Sequence, residues 1–409
     1  MNRNSNYKWY ILILAALTNT MVMAIPGMSM SVLFPEISQG LNLSVVQVGL
    51  VWGLASFPAV FTSLLGGAIG DRFGPKRVLS LGCLMVGLAG GLRGLSQSFG
   101  SLVASVVLLG LLTPVVFMNV FKSCGIWFPG RQLGLANGIL SMGMALGFLV
   151  SSMISATVLS PWLGGWRNVL FLYGGIAMLF SIPWAFTRRA PDTMQKTKEP
   201  GTVSLRQAIA HVMKLRDVWL LGLSILCIGG CIQAVLGYLP LYLRGLGWPD
   251  VSADGALASF HTISMIFVIP ITLWSDRLGA RKRMLLGGAL MFLAGVGLLS
   301  VVSGAVIWVA VGIAGLVRDG FMAIFMTMII ETDGVGPVYA GTATGFVMTF
   351  SFLGSFLAPP FGNSFAGIAP SAPFAFWAIL IAAGIFSLSL TRRPQGITGR
   401  KRIAKTSEN

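Results

Sequence analysis

Lys122, Arg318 and Asp319 are ionisable residues set inside long uncharged stretches of this 409-residue chain. In a membrane helix each such charge costs about 2.5 kcal/mol or more, so each is a functional candidate. Arg318 is 13 residues into the stretch 306–331, roughly 20 Å along a helix rising about 1.5 Å per residue, near mid-membrane. A guanidinium suits bidentate contact with a carboxylate or another planar oxyanion, and an ammonium suits point-charge contact. Two cations against one acid leave the interior positive, and an anionic ligand would complete the balance. Asp319 is the one acid placed in a span core. Adjacent helical positions point about 100° apart, so Arg318 and Asp319 need not neutralise each other. Asp319 is then open to two readings, a carrier of a coupled proton or a structural partner. Arg318 is open to a lock on backbone carbonyls or Asp319, and Lys122 to snorkelling toward the headgroups. Arg93 reads as an interfacial anchor or gate residue.

The elements that must hold these charges are apolar helices. Of all residues 55% are hydrophobic, 10% are charged, and glycine occurs 52 times, a balance that excludes a soluble enzyme and points to lipid as the solvent. The uncharged windows hold twelve spans of about 20 residues or more. We place spans 1 to 12 near 9–34, 45–69, 78–98, 101–124, 133–158, 168–187, 217–243, 254–274, 284–303, 306–331, 338–361 and 370–390. The net charge of +16 is a feature of the loops rather than of a nucleic-acid surface. With the N-terminus inside, 23 of the 28 Lys and Arg fall in cytoplasmic segments, as the positive-inside rule requires. Both termini are therefore expected in the cytoplasm. Cys83, Cys124, Cys227 and Cys231 all sit in spans and read as small packing residues, with no metal-ligand spacing and no cofactor expected.

Two motifs occur twice. Asp71-Arg72-Phe73-Gly74 returns as Asp276-Arg277-Leu278-Gly279, 205 residues later. The first copy reads Gly67-x-x-x-Asp71-Arg72-x-Gly74-x-Lys76-Arg77, and the second adds Arg281-Lys282-Arg283. Gly134-Leu-Ala136-Asn-Gly138 opens span 5, and Gly341-Thr-Ala343-Thr-Gly345 opens span 11, 207 residues later. The loop motif resembles the cytoplasmic signature of the major facilitator superfamily. The segment Lys122-Ser-Cys-Gly-Ile-Trp127-Phe128-Pro129, with Gly165-Trp166-Arg167, is similar to cyanate-permease-like and other organic-anion members.

That resemblance covers the chain and implies an all-α membrane protein of two pseudo-symmetric six-helix bundles, with a central site near the midplane. The expected parts are an N-terminal bundle over 1–187, a cytoplasmic linker over 188–216 with an amphipathic helix, a C-terminal bundle over 217–391 and a basic tail over 392–409. His211 on the linker helix is expected to be solvated. Spans 1, 4, 7 and 10 line the path in such proteins, which adds Asn19, Asn119, Gln233 and Tyr238 to Arg318 and Lys122 as substrate-binding candidates. His261 in span 8 is a candidate for substrate contact, proton carriage or core packing. Asn19 has the alternative of bonding within its bundle.

Gly67, Asp71, Arg72, Gly74, Lys76, Arg77, Asp276, Arg277, Gly279 and Arg281 are implied to gate the inner side. Asp71 would meet the start of span 11 and Asp276 that of span 5. The implied function is secondary active transport of a small organic anion, a carboxylate, by alternating access with possible proton coupling. Transport of cyanate or another small inorganic anion is the runner-up, and a non-transporting solute sensor the rival of another class. The expected setting is the cytoplasmic membrane of a prokaryote, with a monomer among lipids and no nucleic-acid partner.

Overall fold

In the computed structural model, residues 3–128, 132–188, 205–316 and 318–392 are described, and every regular element among them is helical. Among the described residues, twelve helical stretches are long and apolar enough to cross a membrane: Tyr7–Leu41, Val45–Thr62, Pro75–Leu95, Phe99–Trp127, Leu135–Leu163, Trp166–Phe186, Arg216–Gly245, Asp250–Ser275, Arg281–Leu299, Val306–Glu331, Val338–Gly367 and Ala372–Ser389. They follow the twelve expected spans in order. Several run beyond the apolar windows, and span 1 reaches past Glu36 to Leu41. A helix continues as long as its backbone bonds are satisfied, whereas apolar windows end at the first charge.

Local chemistry sets the ends. Ser44 and Gln47 form a capping box that starts span 2, and Ser98 and Ser101 one that starts span 4, each supplying acceptors to otherwise orphaned N–H groups. Gly74 turns between spans 2 and 3 at φ 79°, and Gly279 between spans 8 and 9 at φ 59°. A side chain is strained at such angles, so the final glycine of each loop motif has a backbone reason. Pro75, the first residue of span 3, loses nothing there because that N–H would have no helical partner.

Packing divides the chain into two units. The first takes in the described residues of 1–198, with 236–261 and 359–363. In it, span 1 is α-helical over Arg3–Thr18, π-helical over Asn19–Ala24 and α-helical again over Ile25–Leu41. Pro26 has no N–H to return to the preceding turn, which widens instead. Span 5 packs closely here, and a Cβ on Gly147 would lie 2.5 Å from that of Ala24. The Thr20 hydroxyl lies 2.9 Å from the Ala16 carbonyl and 2.8 Å from that of Gly143, sharing its proton between the two helices. Small residues at the crossing are what permit this approach.

The second unit takes in the described residues of 199–235, 262–358 and 364–409. Spans 7 and 11 touch so closely that a Cβ on Gly354 would overlap the Leu226 carbonyl oxygen. The linker helix spans Leu205–Val212. Its His211 is partly exposed and also makes contacts: Nε2 lies 2.8 Å from the Gly334 carbonyl oxygen, and the ring stacks on Tyr339 at 4.2 Å. The aromatic at Tyr339 gives the imidazole an apolar face to cover, which composition around His211 does not reveal.

Candidate functional site

In the second unit, span 10 comprises helices Val306–Leu316 and Arg318–Glu331 on either side of residue 317. Arg318 Nη1 lies 3.2 Å from Asp319 Oδ1, with side chains 14% and 29% exposed. Ser264 of span 8 completes the arrangement. Its hydroxyl donates to Asp319 Oδ2 at 2.8 Å and accepts from the Asp319 N–H at 3.0 Å. The two neighbouring charges therefore pair, because a flexible guanidinium reaches around the helix where the Cα–Cβ directions diverge. Ser264 has no signal in the sequence, being one of many hydroxyls in apolar helices. Gln233 is half-buried in this unit.

In the first unit, Asn19 is fully buried and its Nδ2 donates to the Leu140 carbonyl of span 5 at 3.3 Å. Asn119 is also fully buried, donating to the Val115 carbonyl at 2.8 Å. A Cβ on Gly70 would overlap its carboxamide oxygen, so the carboxamide fills the space left by that glycine between spans 2 and 4. Lys122, three residues on, is half-buried. His261 is 1% exposed, its ring 5.4 Å from that of Phe148 and 5.8 Å from that of Phe260. Tyr238 is buried, with Tyr242 6.0 Å away.

The inventory of interior charge is larger than the sequence suggests. Asp319 is not the only acid within a span, because Asp254 is 1% exposed in span 8 and Glu36 is half-buried in span 1. Arg93 is not an interfacial anchor. It is 1% exposed, with Nε donating to the Gly90 carbonyl at 3.1 Å and Nη1 to that of Pro26 at 3.2 Å, which ties spans 1 and 3 together. Arg244 is likewise enclosed, its side chain 11% exposed and paired with Asp254 at 2.9 Å. These residues sit near the ends of apolar windows. Helix extension places them inside instead.

The loop motifs differ in what the structure describes. The side chains of Asp71 and Asp276, and Gly67 beyond its backbone, lie outside the described residues. In the first copy Arg72 stands 5.5 Å from the Phe73 ring, while Arg77 is exposed and Lys76 half-buried. In the second copy Arg277 is exposed, and Arg281 Nε lies 2.7 Å from Glu331 Oε2 at the end of span 10. Lys282 Nζ donates to the Ser389 carbonyl at 2.7 Å and to that of Thr391. Glu331 follows a long apolar run, and that position was its only available signal.

These helices and doubled loops define a membrane transport protein fold. The family model of the Major Facilitator Superfamily matches residues 12–359, and the chain belongs to that superfamily. Among its relatives, the probable sulfoacetate transporter SauU of Cupriavidus necator is 26% identical over 352 residues, 80% of each chain. The hexuronate transporter of Bacillus subtilis is 24% identical over 369 residues, 80% of this chain and 86% of its own. A crystal structure of the nucleoside transporter NupG superposes with a TM-score of 0.79 at 12% identity, covering 93% of this chain and 99% of that one.

Proposed function

We propose that the chain is a secondary active transporter of a small organic anion bearing a carboxylate, working by alternating access with proton coupling. The observation that carries this reading is the Arg318–Asp319–Ser264 cluster in a chain whose relatives include a probable sulfoacetate transporter and a hexuronate transporter. Arg318 takes the substrate carboxylate in bidentate contact. Asp319 is its resting counter-ion, held at the right angle by Ser264. Protonating Asp319 discharges that counter-ion and leaves the guanidinium for the substrate, so proton and anion enter together. Lys122 supplies a second positive charge, and Asn119, Gln233, Asn19, Tyr238 and His261 assist, with His261 an alternative proton carrier. The loop-motif residues Asp71 and Asp276 hold the inner gate. Bundles over 1–187 and 217–391 rock about the site, both termini facing the cytoplasm.

Reconstituted protein tests this reading by uptake of sulfoacetate, glucuronate, nitrate and cyanate under an imposed pH gradient. Uptake of an organic anion that Arg318→Ala abolishes is expected. Uptake of only the inorganic anions would refute the carboxylate assignment, and wild-type uptake by Arg318→Ala would remove Arg318 from the site.

A further inference from the structure

The first unit contains a charge cluster of its own. Spans 7 and 8 are joined by the short turn 246–249, and Arg244 at the end of span 7 makes three contacts. Its Nη2 lies 2.9 Å from Asp254 Oδ2, its Nε 2.8 Å from Asp250 Oδ1, and its Nη1 donates to the Val32 carbonyl of span 1 at 2.6 Å. One turn beyond Val32, Glu36 Oε2 accepts from the Ser160 hydroxyl of span 5 at 2.5 Å. Val32 and Glu36, four residues apart, share one face of span 1, so Arg244, Asp250 and Glu36 are the charged groups neighbouring the Asp254 carboxyl. Further contacts seat this segment on the rest of the unit. Ser31 donates to the Leu236 carbonyl, Trp52 covers Gly237, and Asn363 donates to the Val45 carbonyl at 2.9 Å.

The charges in the cluster do not balance. Asp250 is 71% exposed and is screened by solvent. That leaves one largely enclosed cation, Arg244, against the enclosed carboxyl of Asp254 and the half-buried one of Glu36. Asp254 Oδ2 is engaged by Arg244, whereas its buried Oδ1 meets no hydrogen-bond donor among the described residues. An enclosed, uncompensated carboxylate oxygen is strongly disfavoured in a low-dielectric interior. A single positive charge removes the imbalance, and the vacant lone pairs of Oδ1 are where it would sit.

We propose that Asp254 and Glu36 form a proton-binding site, the proton residing on Asp254 Oδ1, that is filled when the span 7–8 turn is docked against span 1. Asp254 travels with Arg244 on the spans 7 and 8, and Glu36 with Ser160 on spans 1 and 5. Undocking separates the two carboxyls and lets water reach both, so each regains solvation and the proton leaves. Docking brings the like charges together and takes the proton up. Closure of this end of the unit is therefore favoured by acid, by at most about tenfold in the docked-to-undocked ratio per pH unit, the limit for one linked proton. Proton occupancy follows from the geometry of the cluster. The requirement that the contact opens in each cycle rests on the alternating-access reading.

Two measurements separate these parts. Infrared difference spectra of the full chain in nanodiscs are expected to show a protonated-carboxyl band that is lost in Asp254→Asn and in Glu36→Gln, and kept in Asp319→Asn. No such band, or one unaffected by both substitutions, overturns the proton site. Hydrogen exchange of the 31–36 and 236–254 segments, corrected for the intrinsic pH dependence, is expected to slow as pH falls in the wild type and to lose that dependence in both variants. Exchange that ignores pH while the band is present overturns the link to closure. A dependence on sodium at constant pH would overturn the identity of the ion.

Discussion

Replacing Asp319 by Asn removes one charge and keeps the shape, so it isolates the counter-ion role of that carboxylate. The Asn carbonyl oxygen can still accept from the Ser264 hydroxyl, and the backbone N–H still donates to it, which leaves the local scaffold in place. What is lost is the 3.2 Å pair with Arg318. At an effective dielectric of about 20, unit charges at that separation interact by about 5 kcal/mol, most of it offset by desolvation already incurred. A net charge-assisted hydrogen bond of about 1.5–3 kcal/mol is the realistic scale. A substrate carboxylate must displace this pair to reach the guanidinium. Removing the competitor is thus expected to tighten anion binding about ten- to a hundredfold near neutral pH. Calorimetry or ligand-dependent thermal stabilisation with sulfoacetate and glucuronate measures the change, since stabilisation grows with ligand concentration over dissociation constant. Uptake by the variant should no longer be driven by a pH gradient, while counterflow persists. Weaker anion binding in Asp319→Asn would show that the carboxylate positions Arg318 for the substrate rather than competing with it, and the coupling scheme would fall.

Three further substitutions probe the frame. Gly70→Ala puts a methyl group where the Asn119 carboxamide sits; a loss of about 1–3 kcal/mol is expected, read as a lower melting temperature and recovered in part by adding Asn119→Ala. Glu331→Gln breaks the 2.7 Å pair with Arg281, with an expected cost of about 1 kcal/mol and faster hydrogen exchange at the adjoining ends of spans 9 and 10. His211→Ala removes the contact to the Gly334 carbonyl and the stack on Tyr339. Exchange in Leu205–Val212 should then accelerate about fivefold, the equivalent of about 1 kcal/mol, and unchanged exchange would mean that the helix is held by its apolar face alone.

The twelve spans and the doubled loops are legible because membrane thickness fixes the length of an apolar run and a positive φ selects glycine. Lys122, Arg318 and Asp319 stand out for the same reason, since a charge amid twenty apolar residues needs no structure to be noticed. The π turn at Asn19–Ala24 is half legible, through Pro26. Other features have no linear signature. Asp254, Glu36 and Arg244 lie near the ends of apolar windows, and their burial follows from helices that outrun those windows.

By itself, then, the sequence determined the class of protein, the number and order of its helices, and the presence of mid-membrane charge. Tertiary structure alone decided the partners: Arg318 with Asp319 and Ser264, Asn119 over Gly70, Arg93 on Pro26, Arg244 between Asp254 and Val32. The physical reason is rotational. In a soluble helix an apolar stripe announces which side faces the core, but a helix bathed in lipid is apolar all round. Its azimuth is set by contacts with its neighbours, and only that azimuth says which polar groups meet.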